Sequence, residues 1–172
     1  MSDQPRQMTP EEAADFAEQV FNKAREGDAA MLAALLSKGL PPNLRNHKGD
    51  TLLMLAAYHG HVDAVKVLLE HKADPQIRND NGQSPIAGAA FKGDLAVVTA
   101  LVDGGAQIEG SSFDGRTALM MAAMFNRTAI VDYLIGKGAD PKAKDANGIT
   151  ALDAAKTMGA ADTTAQLEKI LA

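Results

Sequence analysis

The chain of 172 residues contains no cysteine and no tryptophan. The absence of cysteine excludes disulfide bonds, thiolate metal ligands and a cysteine nucleophile, and it is compatible with a reducing or an oxidising compartment. Only 4% of the residues are aromatic, whereas 46% are apolar. Alanine and leucine therefore have to do most of the packing, as expected of thin helical layers rather than one thick core.

The sequence also lacks a long apolar run and a surplus of basic residues. Its polar first residues lead into an amphipathic stretch, which predicts neither a secretory leader nor a membrane span. The formal net charge of −5 argues against non-specific nucleic-acid binding, which depends on a concentrated basic surface. We therefore expect a soluble, cytoplasmic monomer with no nucleic-acid and no membrane partner.

Motifs of catalysis and of metal binding are missing as well. There is no Gly-x-Ser-x-Gly segment, phosphate-binding loop or His-Glu-x-x-His segment, so we predict a protein that is not an enzyme and needs no cofactor. All four histidines lie between His47 and His71, and His47 and His59 are close enough in the pattern to share a surface. Two such ligands without a supporting carboxylate make a weak metal site, and ordinary surface or turn histidines are the favoured interpretation.

What the sequence does have is a repeating period of about 33 residues. Glycine recurs at this interval, at Gly49, Gly82, Gly115 and Gly148. A hydroxyl residue follows two positions later in each case, at Thr51, Ser84, Thr117 and Thr150. The glycine suits a tight turn, and the hydroxyl is placed to cap the first free N–H groups of a helix. With alanine pairs and aliphatic pairs in the same register, the unit is predicted to be turn, helix, turn, helix and loop.

This unit resembles the ankyrin repeat of bacterial-type ankyrin repeat proteins. The motifs that carry the resemblance are GDTLLMLAA at 49–57, GQSPIAGAA at 82–90, GRTALMMAA at 115–123 and KGADP at 137–141. The resemblance covers residues 13–172 and implies an all-α solenoid of about five helix-turn-helix repeats with short hairpin-like loops. The implied division is a polar segment and start of a capping helix at 1–12, an N-capping repeat at 13–45, repeats at 46–78, 79–111 and 112–144, and a C-capping repeat at 145–172.

The chain departs from the family pattern at several positions. The family's usual histidine after Thr-Pro-Leu is replaced by Met54, Ala87, Met120 and Asp153. Lys72 stands where glycine is usual, so a positive φ there would cost about 1 kcal/mol and give a looser or differently shaped junction. Gly88 inside a helix indicates either a weak point or a close backbone contact.

For function, the resemblance implies a non-enzymatic scaffold that mediates protein–protein interaction through the concave groove of the middle repeats. Partners of such proteins usually meet the hairpin tips and the exposed end of each first helix. The candidate partner-binding residues are Arg45, His47, Lys48, Asp50, Tyr58, His59, Arg78, Asp80, Asn81, Gln83, Phe91, Lys92, Phe113, Arg116, Met124, Phe125 and Lys144.

Two columns among these candidates have competing interpretations. Tyr58, Phe91 and Met124 are each one period apart, so they form either an exposed binding line, which we favour, or rings that pack on loops and complete the core. The cations of the column Arg45, Arg78, Ser111 and Lys144 form either a ladder for an acidic segment or, as we favour, an ordinary solvated edge paired with nearby aspartates.

The alternative function is an accessory or stress-linked regulatory protein that binds a small molecule or an oxidative-stress enzyme, a role associated with some bacterial ankyrin-like proteins. The eight methionines are candidates for oxidation under that hypothesis. Methionine that simply replaces leucine in thin helical layers is the favoured interpretation.

Overall fold

The computed structural model describes residues 5–172, so the first four residues of the predicted segment 1–12 lie outside the described residues. The described chain is all-helical apart from two isolated bridges, which confirms the predicted all-α solenoid. The helices are α1 (Pro10–Glu26), α2 (Ala29–Ser37), α3 (Leu52–Tyr58), α4 (Val62–Glu70), α5 (Pro85–Lys92), α6 (Leu95–Asp103), α7 (Ala118–Met124), α8 (Thr128–Gly136), α9 (Ala151–Thr157) and α10 (Ala161–Leu171).

The helices form two layers. The odd-numbered helices, called the inner helices here, each pack on the next odd-numbered helix, and the even-numbered outer helices do the same. Helix α3, for example, contacts α1 and α5 in its own layer and α4 behind it. The stack therefore grows by nearest-neighbour packing, as repeat proteins do.

The inner helices α3, α5, α7 and α9 begin after the repeated hydroxyl residues, as the sequence predicted, and these residues cap them. Thr51 Oγ1 accepts a hydrogen bond from Met54 N at 3.1 Å, and Thr117 Oγ1 accepts one from Met120 N at 3.3 Å. Thr9 begins α1 in the same way and forms a capping box with Glu12. Each bond satisfies an N–H group that the helix itself leaves without a partner.

Small residues allow the inner helices to approach one another closely. The alanine pairs of α3, α5 and α7 are fully buried, at 0% exposure. Leu68, Leu101 and Leu134 of the outer helices are buried to the same extent and face this alanine layer. The core is one continuous apolar layer between the two rows of helices, so few aromatic side chains are needed to fill it.

Lys72 adopts a positive φ of 70°, the conformation of the glycine that is usual at this position. The junction is nevertheless shaped like its glycine counterparts, so the expected distortion is wrong. Ala73 N donates to Leu68 O at 2.9 Å, the same bond that Ala106 N makes to Leu101 O at 2.9 Å after Gly105. The helix-ending hydrogen bond and the burial of Ala73 hold the lysine in the left-handed region.

Side chains at the start of the outer helices connect successive units. Arg127 Nε and Nη2 donate to Phe91 O at 3.2 and 3.1 Å, and His61 Nε2 lies 2.7 Å from Arg25 O. Each side chain passes over the turn glycine of the preceding unit, Gly93 or Gly27, where a Cβ atom would overlap it. Within residues 5–172, none of the helices has the length and apolar character that a membrane crossing requires.

Candidate functional site

A groove of about 780 Å³ runs along the inner helices α3, α5 and α7 and the hairpin tips in front of them. We call it the central groove. Eleven of the predicted binding residues line it: Lys48, Asp50, Tyr58, His59, Asn81, Gln83, Phe91, Phe113, Arg116, Met124 and Phe125.

The other six predicted residues lie outside this lining. Arg45 donates to Arg78 O at 2.9 Å and lies 3.6 Å from the carboxylate of Asp80, so its guanidinium holds neighbouring turns together. The guanidinium of Arg78 lies over the Phe113 ring, 5.8 Å from its centre. The side chains of His47, Lys92 and Lys144 are exposed at the hairpin tips or helix ends.

Three rings form one wall of the central groove, and we call them the aromatic cluster. Tyr58 and Phe91 are nearly parallel, with ring centres 6.5 Å apart, and Phe125 meets Phe91 edge-on at 4.6 Å. Tyr58 is 42% exposed, whereas Phe91 and Phe125 are half-buried. The third member of the predicted line Tyr58–Phe91–Met124 is therefore replaced in the aromatic cluster by Phe125, because the ring of Phe125 contacts the ring of Phe91.

The floor of the groove contains residues that the sequence interpretation missed. Leu55, Gly88 and Met121 line the groove and occupy the same position in three successive repeats, so the repeat period itself contained the signal. A Cβ atom at Gly88 would lie 3.7 Å from Cδ2 of Tyr58, an ordinary van der Waals distance. The neighbour of Gly88 is thus the side chain of Tyr58 and not a backbone segment. Because glycine has no Cβ atom, it leaves open space beside Tyr58.

A buried asparagine orders one hairpin tip. Asn79 is 6% exposed, and its Nδ2 donates to Asp50 Oδ1 at 2.9 Å and to Gln83 Oε1 at 3.0 Å. Its Oδ1 accepts from the backbone N–H groups of Asn81 and Gln83. The tip is therefore held in place before any partner arrives, and the carboxylate of Asp50 already has a donor.

The surroundings of the groove favour the charged form of Asp114 and disfavour the charged form of His59. The Ser112 hydroxyl and Arg116, whose Nε is 3.3 Å away, hold the pKa of the Asp114 carboxyl below its usual range. Partial desolvation lowers the pKa of His59, and the neighbouring His61 and Lys92 lower it further, which favours the neutral imidazole. The ionised form of Asp114 is thus favoured and paired with Arg116, whereas a positive charge on His59 is disfavoured.

The serine hydroxyls in the lining are engaged in structural bonds. Ser84 Oγ accepts from Ala87 N at 3.3 Å, and the Ser112 hydroxyl donates to Asp114. His61 and His71 bond to backbone oxygens, and no group of three or more potential metal-ligating side chains occurs within residues 5–172. The arrangement therefore offers an apolar wall and fixed charges for contact.

A second, smaller groove of about 240 Å³ continues this surface toward the C-terminal end. It shares Arg116 and Met124 with the central groove and adds Ile149 and Met158, which are 38% and 50% exposed. The groove surface is therefore not confined to the middle repeats, and residues of the fifth unit extend it. Met158 lies one period after Phe125, so the repeat pattern also pointed to it.

Comparison with known proteins is consistent with this architecture. Residues 20–112 and 89–167 match the family model described as ankyrin repeats (3 copies). An ankyrin repeat protein of Pseudomonas aeruginosa is 56% identical over 67 residues, which are 39% of this chain and 39% of that protein. Ankyrin repeat domain-containing protein 29 of Homo sapiens is 44% identical over 55 residues, 31% of this chain and 18% of that protein. The matched stretches thus span well under two thirds of either relative.

Proposed function

Because the chain belongs to the ankyrin-repeat family, we propose that it is a non-enzymatic scaffold that binds a protein partner in the central groove. Ankyrin repeats generally mediate protein–protein interaction, and the family is typically non-enzymatic.

The exposed ring of Tyr58 beside Phe91 is the observation that carries this proposal. Aromatic residues make up only 4% of the chain, yet three of them form one wall of the groove. Aromatic side chains in a well-formed pocket contribute disproportionately to protein–protein binding. The exposed area of Tyr58 is not needed by the core, because the alanine layer behind it is already closed.

Preorganisation of the groove also supports a binding role. The inner helices are capped, and Asn79 orders the tip that carries Asn81 and joins it to Asp50 of the preceding tip. A surface that is ordered before binding loses little conformational entropy when the partner arrives. Affinity therefore depends on the side chains that line the groove.

We further propose that the middle units bind the partner and that the two end units cap the stack. The units 46–78, 79–111 and 112–144 carry the central groove, and the units 13–45 and 145–172 cap the ends. Exposed Glu168 and Lys169 on α10 support a solvated end at the C-terminal unit, although the exposed Met158 of that unit lines the second, smaller groove. We take the active form to be a cytoplasmic monomer.

Substitution of Tyr58 tests the proposal. Tyr58→Ala is expected to abolish recovery of the partner in affinity purification from the native cell, measured by quantitative mass spectrometry. Because the ring is partly exposed, the melting temperature should fall by no more than about 2–4 °C, the shift for a 1 kcal/mol loss in a chain of this size.

Phe16→Ala is the matched control, since Phe16 is an aromatic residue on α1, 36% exposed and outside the groove. It should leave partner recovery unchanged. Equal loss of the partner in both variants would contradict the groove assignment, and so would a large fall in the melting temperature of Tyr58→Ala, which would make the ring part of the core.

The stress-linked alternative rests on the methionines, and the four on the inner helices α3 and α7 are buried or half-buried, which favours the scaffold, whereas Met8, Met31 and Met158 are exposed. Met54 and Met120 are 8% and 2% exposed and serve as packing residues. Met121 and Met124 are half-buried in the groove, where a flexible thioether suits contact with a partner's apolar side chains. We therefore do not extend the proposal to a small molecule or to an oxidative-stress enzyme.

A further inference from the structure

Two lysines at the central groove have no acidic partner among residues 5–172. Lys48 lines the groove, and the ammonium of Lys92 lies 4.7 Å from the centre of the Tyr58 ring at the groove's edge. Within residues 5–172, neither ammonium has a carboxylate oxygen within 4.0 Å. Their positive charges are therefore available to a ligand.

The acidic groups of the same surface are already engaged. Asp50 accepts from Asn79, and Asp114 accepts from Ser112 and pairs with Arg116. The neutral amide of Asn79 leaves the charge of Asp50 in place, whereas the charges of Asp114 and Arg116 offset one another. Lys48, Lys92 and Arg116 against Asp50 and Asp114 leave a net charge of +1 beside the apolar wall.

The distribution of charge along the chain reinforces this asymmetry. Six basic and four acidic residues occupy the hairpin tips and the ends of the inner helices, at 45–50, 78–83, 111–116 and 144–149 and at 58–59, 91–92, 124–125 and 157–158. The rest of the chain carries eleven basic and eighteen acidic residues. The binding face is thus net positive and the remainder strongly negative, so the field favours one orientation of an acidic ligand.

From this charge complementarity, we propose that the central groove takes an acidic segment of the protein partner. An apolar side chain of that segment packs against the aromatic cluster, and its carboxylates lie beside Lys48 and Lys92. The inference rests on the proposed function and specifies the chemistry of the partner.

Single-stranded nucleic acid is the competing anionic ligand, because bases stack on aromatic rings. Its binding depends on neutralising many phosphates along a continuous basic track. The groove offers two unpaired lysines in a chain of net charge −5, which is too few for such a track. A few carboxylates next to apolar side chains match this charge far better.

The test is selection from a library of random short peptides displayed on phage, with the full-length chain as bait. The wild-type chain should enrich peptides that combine Asp or Glu with an aromatic or aliphatic residue. The double variant Lys48→Glu/Lys92→Glu should lose these peptides and should bind the best of them at least tenfold more weakly at low salt. A single-stranded oligonucleotide is assayed in parallel as the competing ligand.

Lys66→Glu/Lys142→Glu is the matched control, because both lysines are exposed outside the groove and the change in net charge is identical. It should keep the wild-type peptide pool and affinity. A pool without acidic enrichment, equal loss in both double variants, or tight binding of the oligonucleotide would overturn the inference while leaving a binding groove in place. Failure to enrich any peptide would overturn the proposed function as well.

Discussion

Gly88 lies inside α5, where it lacks the side chain that helix formation favours. Its φ is not in the left-handed region, and a Cβ atom there would make an ordinary contact with Tyr58. Neither the backbone nor the packing therefore requires glycine at this position. What the glycine provides is open space in the floor of the central groove.

Gly88→Ala is expected to stabilise the protein and to weaken partner binding. The free energy of unfolding should rise by about 0.5–1 kcal/mol, the usual helix-interior difference between the two residues. The added methyl group fills space beside Tyr58 that the partner would otherwise occupy. Urea denaturation measures the first effect, and partner recovery or peptide affinity measures the second.

Gly136→Ala provides the comparison for this prediction. Gly136 ends the outer helix α8, and a Cβ atom there meets no heavy atom within 4 Å. This variant should gain stability without any change in binding. If both variants bind equally well, the partner does not contact the floor of the groove at residue 88.

At the scale of the helix, α9 differs from α3, α5 and α7 because its first turn forms a full capping box. Thr150 Oγ1 accepts from Asp153 N at 3.2 Å, while Asp153 Oδ2 accepts from Thr150 N at 3.1 Å. The bonds from the backbone N–H and hydroxyl of Thr150 lower the pKa of Asp153 below its ordinary value. Where the family carries histidine, this chain thus uses a carboxylate to close a capping box.

This cap predicts a pH dependence of stability. Because the pKa of Asp153 is lower in the folded protein than in the unfolded chain, its contribution is fully present above the unfolded value of about 4. The contribution is lost as the pH falls through the folded value. Asp153→Asn should therefore lower the melting temperature at pH 7, and the difference from wild type should shrink as the pH falls below about 4.

Asp15→Asn removes the same charge from an exposed position on α1 and serves as the control in these thermal melts. It should show little change at pH 7. A difference between Asp153→Asn and wild type that stays constant down to acidic pH would mean that the carboxylate does not act through its ionised form.

At the scale of the whole molecule, the units are joined by hydrogen bonds that cross from one repeat to the next. Thr163 of α10 is fully buried, and its hydroxyl donates to Ala123 O of α7 at 2.7 Å. Asn126, with φ of 60°, accepts from the backbone N–H groups of Asp162 and Thr163 at 3.0 Å. The last unit is therefore attached to the fourth by specific polar contacts as well as by packing.

Thr163→Val is expected to loosen the last unit selectively. Valine keeps the shape but removes the hydroxyl bond to the Ala123 carbonyl, which still accepts from Asn126 N at 3.3 Å, so the expected cost is about 0.5–1.5 kcal/mol. Amide hydrogen exchange should accelerate in α9 and α10, because an end unit has only one neighbour, and remain slow in α3 and α5. Exchange that accelerates evenly along the chain would show instead that the stack opens as a single unit.

Thr164→Val is the control for this substitution, since Thr164 is the half-buried neighbour of Thr163 on the same helix. Exchange rates in α9 and α10 should change little in that variant.

Local chemistry explains why so much of the fold was predictable from the sequence. A capping hydroxyl acts on an N–H group three residues away, and a turn glycine acts on its own φ, so Thr51, Thr117 and Gly82 determine their turns without reference to distant residues. The repeat register then applies the same local chemistry along the chain. The repeat pattern, the all-α architecture and the starts of the helices were therefore determined by the sequence alone.

Only the tertiary structure decided whether a surface side chain is free to contact a partner or is already bonded within the protein. Arg45 looked like a free cation, yet it is bonded to the carbonyl of Arg78 in the next repeat, whereas Lys48, three positions later, has no acidic partner within residues 5–172. Met158 belongs to a unit predicted as a cap, yet it extends the groove. Such outcomes depend on contacts between residues about one repeat apart, and their separation is set by how the helices stack rather than by the local chain.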